Sequence, residues 1–345
     1  MADRIIICNP GYGNGPYIRC AEIALALKEK FGGSRIVMPL IYEDKQKAIL
    51  EEEFGTDHSI EFDEWLGKLI DSISYKHESY ENWLLSWIEH IDETQDQIKS
   101  HISDTYGSDF LELARSPIVN LGGSESFAVL FSRTSEILAR SINEDTITID
   151  KELLKKASDR MKTLESQFTK IFITDPGTFD ASESDVSVPL TATLKDNSTE
   201  VDEPSVYVSI SGIPNRKLDD VKSQIDLPVF TNKDTSPHIV ADENIVLQVA
   251  RSGWGACWMS LLSGTPLVVA EYDPSDDPEI YFNNKRIEEL GIGLVHKGEK
   301  LSELLPELPR LKKSIEDYRS SLLEQYGTLN GAEYVAAVIL SSVEG

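Results

Sequence analysis

The sequence predicts an α/β protein built from two Rossmann-like domains that face each other across a cleft. Three observations lead there. A short apolar strand at Arg4 to Cys8 runs into a glycine loop and then a helical pattern from Tyr17 to Phe31. The same succession of strand, glycine loop and helix returns at Ile245 to Gly264. A chain of 345 residues also exceeds the size at which a single core usually suffices. Open parallel sheets take ligands beyond the carboxyl ends of their strands, so two facing halves would bring both glycine loops to one cleft.

The first domain is expected over residues 1–199. After the opening strand come Gly11, Gly13, Asn14 and Gly15, then the helix, which Gly32 and Gly33 stop before a second strand at Arg35 to Met38. That completes a βαβ unit. Residues 43–115 read as a mostly helical insertion. Trp65, Leu66, Leu69 and Ile70 lie on one face, and Trp83, Leu84, Trp87, Ile88 and Ile91 recur at helical spacing. Such stripes serve core packing, an acceptor-binding wall or a partner surface. Pro117 to Leu121 reads as a further strand leading into Gly122 to Glu125, with a helix over Ser126 to Ile142. Lys151 to Phe168 is helical, Lys170 to Thr174 a strand ending at Asp175, and Asp180 to Glu203 a polar connection between domains.

The second domain is expected over residues 200–345. Strands at Ser205 to Ile210, Pro228 to Thr231 and Ile245 to Val249 alternate with a short helix at Asp219 to Ile225. Arg251, Ser252, Gly253, Trp254 and Gly255 follow, small enough that backbone N–H groups can converge at the positive end of the next helix. A diphosphate fits such a place without a metal ion. The tail from Leu301 to Val343 is helical.

Composition narrows the partners. With 40% apolar and 27% charged residues the chain is an ordinary globular one. A net charge of −26 opposes nucleic acid and anionic membrane surfaces, whereas a nucleotide is small enough to be held by a local nest of amides. Cys8, Cys20 and Cys257 are odd in number and lack paired spacing, which argues against a disulfide framework and a zinc site and points to the cytoplasm. No apolar run is long enough for a transmembrane segment or a signal peptide.

Residues 246–293 resemble the C-terminal half of GT-B-fold glycosyltransferases, closest in pattern to the N-acetylglucosaminyltransferase of peptidoglycan synthesis and the sugar-nucleotide hydrolase of pseudaminic acid biosynthesis. The matching pieces are Arg251 to Gly253, Gly264-Thr265-Pro266, the strand Leu267 to Ala270 and the stretch Asp277 to Asn283. The resemblance implies a GT-B fold and a nucleotide-sugar donor such as a UDP-sugar. It gives Arg251, Ser252 and Gly253 to the donor's phosphates, and Glu279 and Asn283 to its sugar hydroxyls. It also places Ser211 and Gly212 at the first phosphate-facing turn of the second domain, and the last helix crossing back to the first. The family's ribose-binding Glu falls at about Met259, so the nucleobase stays open.

In the family the first loop often carries a His that serves the attacking hydroxyl. The corresponding place lies between Asn14 and Pro16, and the chain has no His before His58. Asn14 can hydrogen-bond but cannot take a proton at neutral pH. A carboxylate whose pKa is raised by burial can act instead, and Glu125 and Asp175 are the candidates, with Glu125 preferred. Glu22, further along its helix, reads as solvated or structural. Asp273, Asp276, Asp277 and Glu279 form an acidic cluster with Pro274 and Pro278, which suits helix capping or sugar binding better than a calcium cage. His238 and His296 read as structural or exposed. The expected activity is metal-independent transfer of a sugar from a nucleotide-diphosphate donor to an unidentified acceptor, with no cofactor. A sugar-nucleotide hydrolase or epimerase, and a silent binding scaffold, are the alternatives.

Overall fold

The computed structural model describes residues 4–11, 13–74, 79–196, 199–209 and 221–344. It divides into two compact units, one of Met1–Pro176, Asp180–Val188 and Gly331–Gly345, the other of Gly177–Phe179 and Pro189–Asn330.

The first unit contains β1 (Ile5–Asn9), α1 (Asn14–Phe31), β2 (Arg35–Pro39), α2 (Glu43–Phe54), β3 (Ile60–Asp63), α3 (Glu64–Ser72), α4 (Tyr80–Tyr106), β4 (Phe110–Ala114), β5 (Glu125–Leu130), α5 (Thr134–Ser141), α6 (Lys151–Glu165), β6 (Lys170–Asp175) and β7 (Val186–Pro189). Its sheet runs β3-β2-β1-β4-β5-β6-β7, and every pair from β3 to β6 is parallel. Ile6, Ile7 and Cys8 are wholly buried, as a strand covered on both faces must be. Each such aliphatic side chain contributes about 1.5–3 kcal/mol on burial. Strand order reverses between β1 and β4, which puts the loop after β1 at the switch point where open sheets bind ligands.

The second unit contains β8 (Ser205–Ser209), β9 (Val229–Thr231), β10 (Ile245–Ala250), α7 (Trp254–Ser263), β11 (Leu267–Val269), α8 (Pro278–Leu290), β12 (Leu294–Val295), α9 (Leu301–Leu304) and α10 (Leu308–Tyr326). Its sheet is parallel throughout, ordered β12-β11-β10-β8-β9. Here the reversal falls between β8 and β10, so the loop after β10 occupies the switch point. The final helix, α11 (Gly331–Glu344), belongs to the first unit, where Ala332, Val335, Ala336 and Ile339 join Cys20, Ala21 and Ala24 of α1 in one apolar cluster.

Several elements differ from expectation. The region 43–115 holds two strands, β3 and β4, among its helices. Residues 117–121 form no strand, while 126–130, expected to open a helix, lie with Glu125 in β5. The connection 180–203 contains β7. These short apolar runs carry no period of their own, so their type is decided by the sheet they enter. Glu112 further masked β4, because a carboxylate inside Phe110-Leu-Glu-Leu-Ala breaks the apolar pattern. It is fully buried there, accepting from Asn9 Nδ2 (3.2 Å), Leu121 N (3.0 Å) and Ser126 Oγ (2.9 Å). Burial pushes its carboxyl above the ordinary range.

The tryptophan stripe of α4 is core. Trp83 and Trp87 are buried and donate their indole N–H to Ile73 O and Ile118 O, each at 2.9 Å. Trp65 on α3 is half-exposed and lies 4.3 Å, ring to ring, from His101.

Candidate functional site

The loop after β10 is built as its composition suggests. Gly253 precedes α7 with ordinary extended angles (φ −68°, ψ 136°), and no side chain caps the helix. Among the described residues, a Cβ placed on Gly253 or Gly255 would meet nothing within 4 Å, so none of them fills the space beside the first turn of α7. Gly253 N donates to Arg251 O at 2.8 Å and Ala256 N to Gly253 O at 3.0 Å, so what the turn offers an anion is the amides of Trp254 and Gly255 together with the helix dipole. By contrast α8 is closed by its own residue, since the Asp277 carboxylate accepts from Glu279 N at 2.9 Å.

Arg251 projects from the end of β10 and forms a fork with Asp276, Nε to Oδ2 at 2.8 Å and Nη2 to Oδ1 at 2.5 Å. Its side chain stays 27% exposed against 5% for Asp276. The buried carboxylate thus fixes the guanidinium plane while leaving part of it in reach of a ligand. The cation is held firmly charged, as Asp276, Asp277 and Glu279 outweigh the cost of its burial. At Asp277, burial first and the Glu279 charge second push the carboxyl up to about 8. Asp273 accepts from Ser275 Oγ at 2.6 Å. Each of these acids thus has a structural engagement.

Ser252 and Asn283 are wholly buried. Asn283 Nδ2 donates to Ser252 O (2.8 Å) and Glu279 Oε1 (3.1 Å), and its Oδ1 accepts from Thr178 Oγ1 (2.8 Å). Its amide is thereby committed to protein atoms, and it acts on the loop by holding it. Trp254, also buried, donates Nε1–H to Thr178 Oγ1 at 3.1 Å. The structure brings Arg251, Ser252, Gly253, Trp254, Gly255, Asp277, Glu279 and Asn283 together at one switch point. Ser211 and Gly212, with the first residues of the expected helix at 219–225, lie outside the described residues. Met259 is buried within α7.

In the first unit, Gly11 and Gly13 hold positive φ, 70° and 92°. A Cβ on Gly11 would meet Ser116 Cβ at 2.5 Å, and Gly13 N donates to Tyr42 Oη at 2.7 Å. Asn14 and Gly15 begin α1 and are exposed. The two carboxylates proposed as a base separate here. Glu125 opens β5 instead of following a strand, so it sits at the amino edge of the sheet, away from the loop after β1, and pairs with Arg4 at 3.3 Å. The expectation that it follows a strand at the ligand-binding edge is overturned by the strand's true position. Asp175 ends β6 at the carboxyl edge. Glu22 is buried and takes both of its contacts from Arg19 Nη1 at 2.7 Å, a structural residue and not a solvated one. His238 and His296 are buried, His238 Nδ1 accepting from Lys195 N at 3.3 Å and His296 Nε2 lying 2.6 Å from Glu299 O. Thr178 is the site neighbour that sequence reasoning missed. It lies in a connecting segment whose pattern gives no sign of partners on α7 and α8.

No protein-family model matches the chain, and no curated protein matches it in sequence. Solved structures do match in fold. UGT2 of Phytolacca americana, complexed with UDP-2fluoro-glucose and pterostilbene, is 10% identical with a TM-score of 0.66 over 99% of this chain and 100% of its own. UGT89C1 of Arabidopsis thaliana, complexed with UDP, is 11% identical with a TM-score of 0.65 over 98% and 99%. CalG4, the calicheamicin glycosyltransferase, is 14% identical with a TM-score of 0.62 over 99% and 98%. The chain therefore has the GT-B fold, with two Rossmann-like units. No helix among the described residues is long and apolar enough to cross a membrane.

Proposed function

We propose that this protein is a glycosyltransferase that moves a sugar from a nucleotide-diphosphate donor to an acceptor without needing a metal ion. The observation that carries this reading is the uncapped, open first turn of α7 at the switch point of the second sheet, with the Arg251 guanidinium fixed beside it. Negative charge grows on the leaving diphosphate in the transition state, and preorganised amides together with a fixed cation stabilise it there. Glu279, in the first turn of α8, would orient the donor sugar, with Asn283 holding it in place. The UDP-bound relatives support a uridine donor first among candidates. The loop after β1 and Asp175 would serve the acceptor, with Asp175 receiving its proton.

The test is binding of uridine, guanosine, adenosine and thymidine diphosphates to wild type and Gly255→Asp. An Asp at this helix start has room for its Cβ and gains about 0.3–1 kcal/mol from the dipole, so the variant should melt no lower than wild type. It should nevertheless lose diphosphate affinity by about 100-fold, near 3 kcal/mol. Retained binding in the variant, or no binding of any of the four by wild type, sinks the donor site. Release of nucleotide from a UDP-sugar with no acceptor present would move the assignment to a hydrolase.

A further inference from the structure

We infer that Thr178 is a positioning residue for the diphosphate loop, acting through a closed ring of buried hydrogen bonds; this rests on the donor-site reading above. The ring can be followed atom by atom. Trp254 Nε1–H donates to Thr178 Oγ1 (3.1 Å), Thr178 Oγ1–H donates to Asn283 Oδ1 (2.8 Å), and Asn283 Nδ2 donates to Ser252 O (2.8 Å), two residues before Trp254. Ser252, Gly253 and Trp254 close the circuit through the backbone. Thr178, Ser252, Trp254 and Asn283 are each at most 1% exposed.

The hydroxyl of Thr178 uses its one proton and a lone pair in opposite directions, which only an alcohol can do in that space. It fixes the indole at the first residue of α7 and sets which way the Asn283 amide points. The second Nδ2 hydrogen of Asn283 then reaches Glu279 Oε1 at 3.1 Å, so one hydroxyl sets both the amide-lined turn and the carboxylate assigned to the sugar. Behind it, Phe179 packs edge-on against Phe282 of α8 with ring centres 5.1 Å apart, which anchors the segment Gly177–Phe179 in the second unit. Replacing the hydroxyl leaves an indole N–H and an amide oxygen buried without a partner, and the loop can recover them only by moving.

The experiment compares Thr178→Val, Thr178→Ser and Thr178→Ala in the full chain. Affinity is titrated with uridine, guanosine, adenosine and thymidine diphosphates, and hydrogen exchange is followed over residues 253–257. Thr178→Ser should bind within about twofold of wild type, and Thr178→Val and Thr178→Ala about tenfold more weakly. Exchange of the Ala256 and Cys257 amides, which donate to Gly253 O, should be faster in the Val and Ala proteins without nucleotide. Thr178→Ala adds no bulk and keeps the test available if the Val protein does not fold. Affinity equal to wild type in the Val or Ala protein overturns the inference, as does equal loss in the Ser protein. Failure of wild type to bind any of the four overturns the donor site itself, and the role of Thr178 with it.

Discussion

Two glycine loops follow parallel strands in this protein, and their glycines are there for different reasons. After β1, Gly11 and Gly13 sit in the left-handed region, and Gly11 is pressed against Ser116 so closely that a methyl group cannot enter. After β10, Gly253 has an ordinary backbone, and no described residue crowds it or Gly255. The first loop needs glycine to fold. The second gains nothing in folding from Gly255, which leaves clearance over the amides of α7, the space that the proposed diphosphate site would use.

The comparison can be broken most sharply at the sheet edges. If chemistry belongs to the carboxyl edge of the first sheet, where the loop after β1 and Asp175 lie, Asp175→Asn should lower kcat by about 100-fold or more, in the range of lost general-base catalysis, measured in a transfer assay with a UDP-sugar. Glu125→Gln, at the amino edge beside Arg4, should leave kcat within about twofold and cost at most about 1 kcal/mol of stability. Reversal of that order would return the base to Glu125 and discard the edge argument.

A direct comparison of the glycines comes next in size. Gly11→Ala should destabilise by about 2–4 kcal/mol, combining a positive φ with overpacking against Ser116, and this is read by denaturant unfolding. Gly255→Ala should stabilise by about 0.5 kcal/mol while weakening diphosphate binding. Equal destabilisation by the two would show that both loops use glycine for the fold.

The smallest effect concerns charge beside the second loop. The Asp277 carboxyl is raised above its unfolded value by burial and by Glu279, so its contribution to stability is fully present only below the unfolded value of 3.8 and is lost progressively as pH rises from there to about 8. Asn caps a helix as well as Asp does. Asp277→Asn should therefore match wild type in melting temperature only near the unfolded value of 3.8 and exceed it by an amount that grows with pH up to about 8 and is constant above. A constant difference across that range would mean that Asp277 stays ionised throughout.

Much of the candidate site was legible because it is local in sequence. Arg251 to Gly255 and Asp277 to Asn283 each stand on one strand end or one helix start, and the order of strand, loop and helix places them without knowledge of distant partners. Glu125 is misplaced by the sequence because the run that follows it, Phe127 to Leu130, is apolar without a period, so a strand and a helix begin alike there. Thr178 left no trace, since its partners lie 76 and 105 residues further along the chain.

The sequence by itself determined the parallel α/β character, the two glycine loops and the helix starts behind them, because apolar runs and glycine positions act over a few residues at a time. Only the tertiary structure decided that Glu112 is a buried strand residue, that Asp276 fixes the plane of Arg251, and that Thr178 closes a ring around the first turn of α7. Those outcomes depend on burying polar groups that must find partners across long separations, and the cost of leaving any of them unpaired selects one arrangement from many that the local pattern permits.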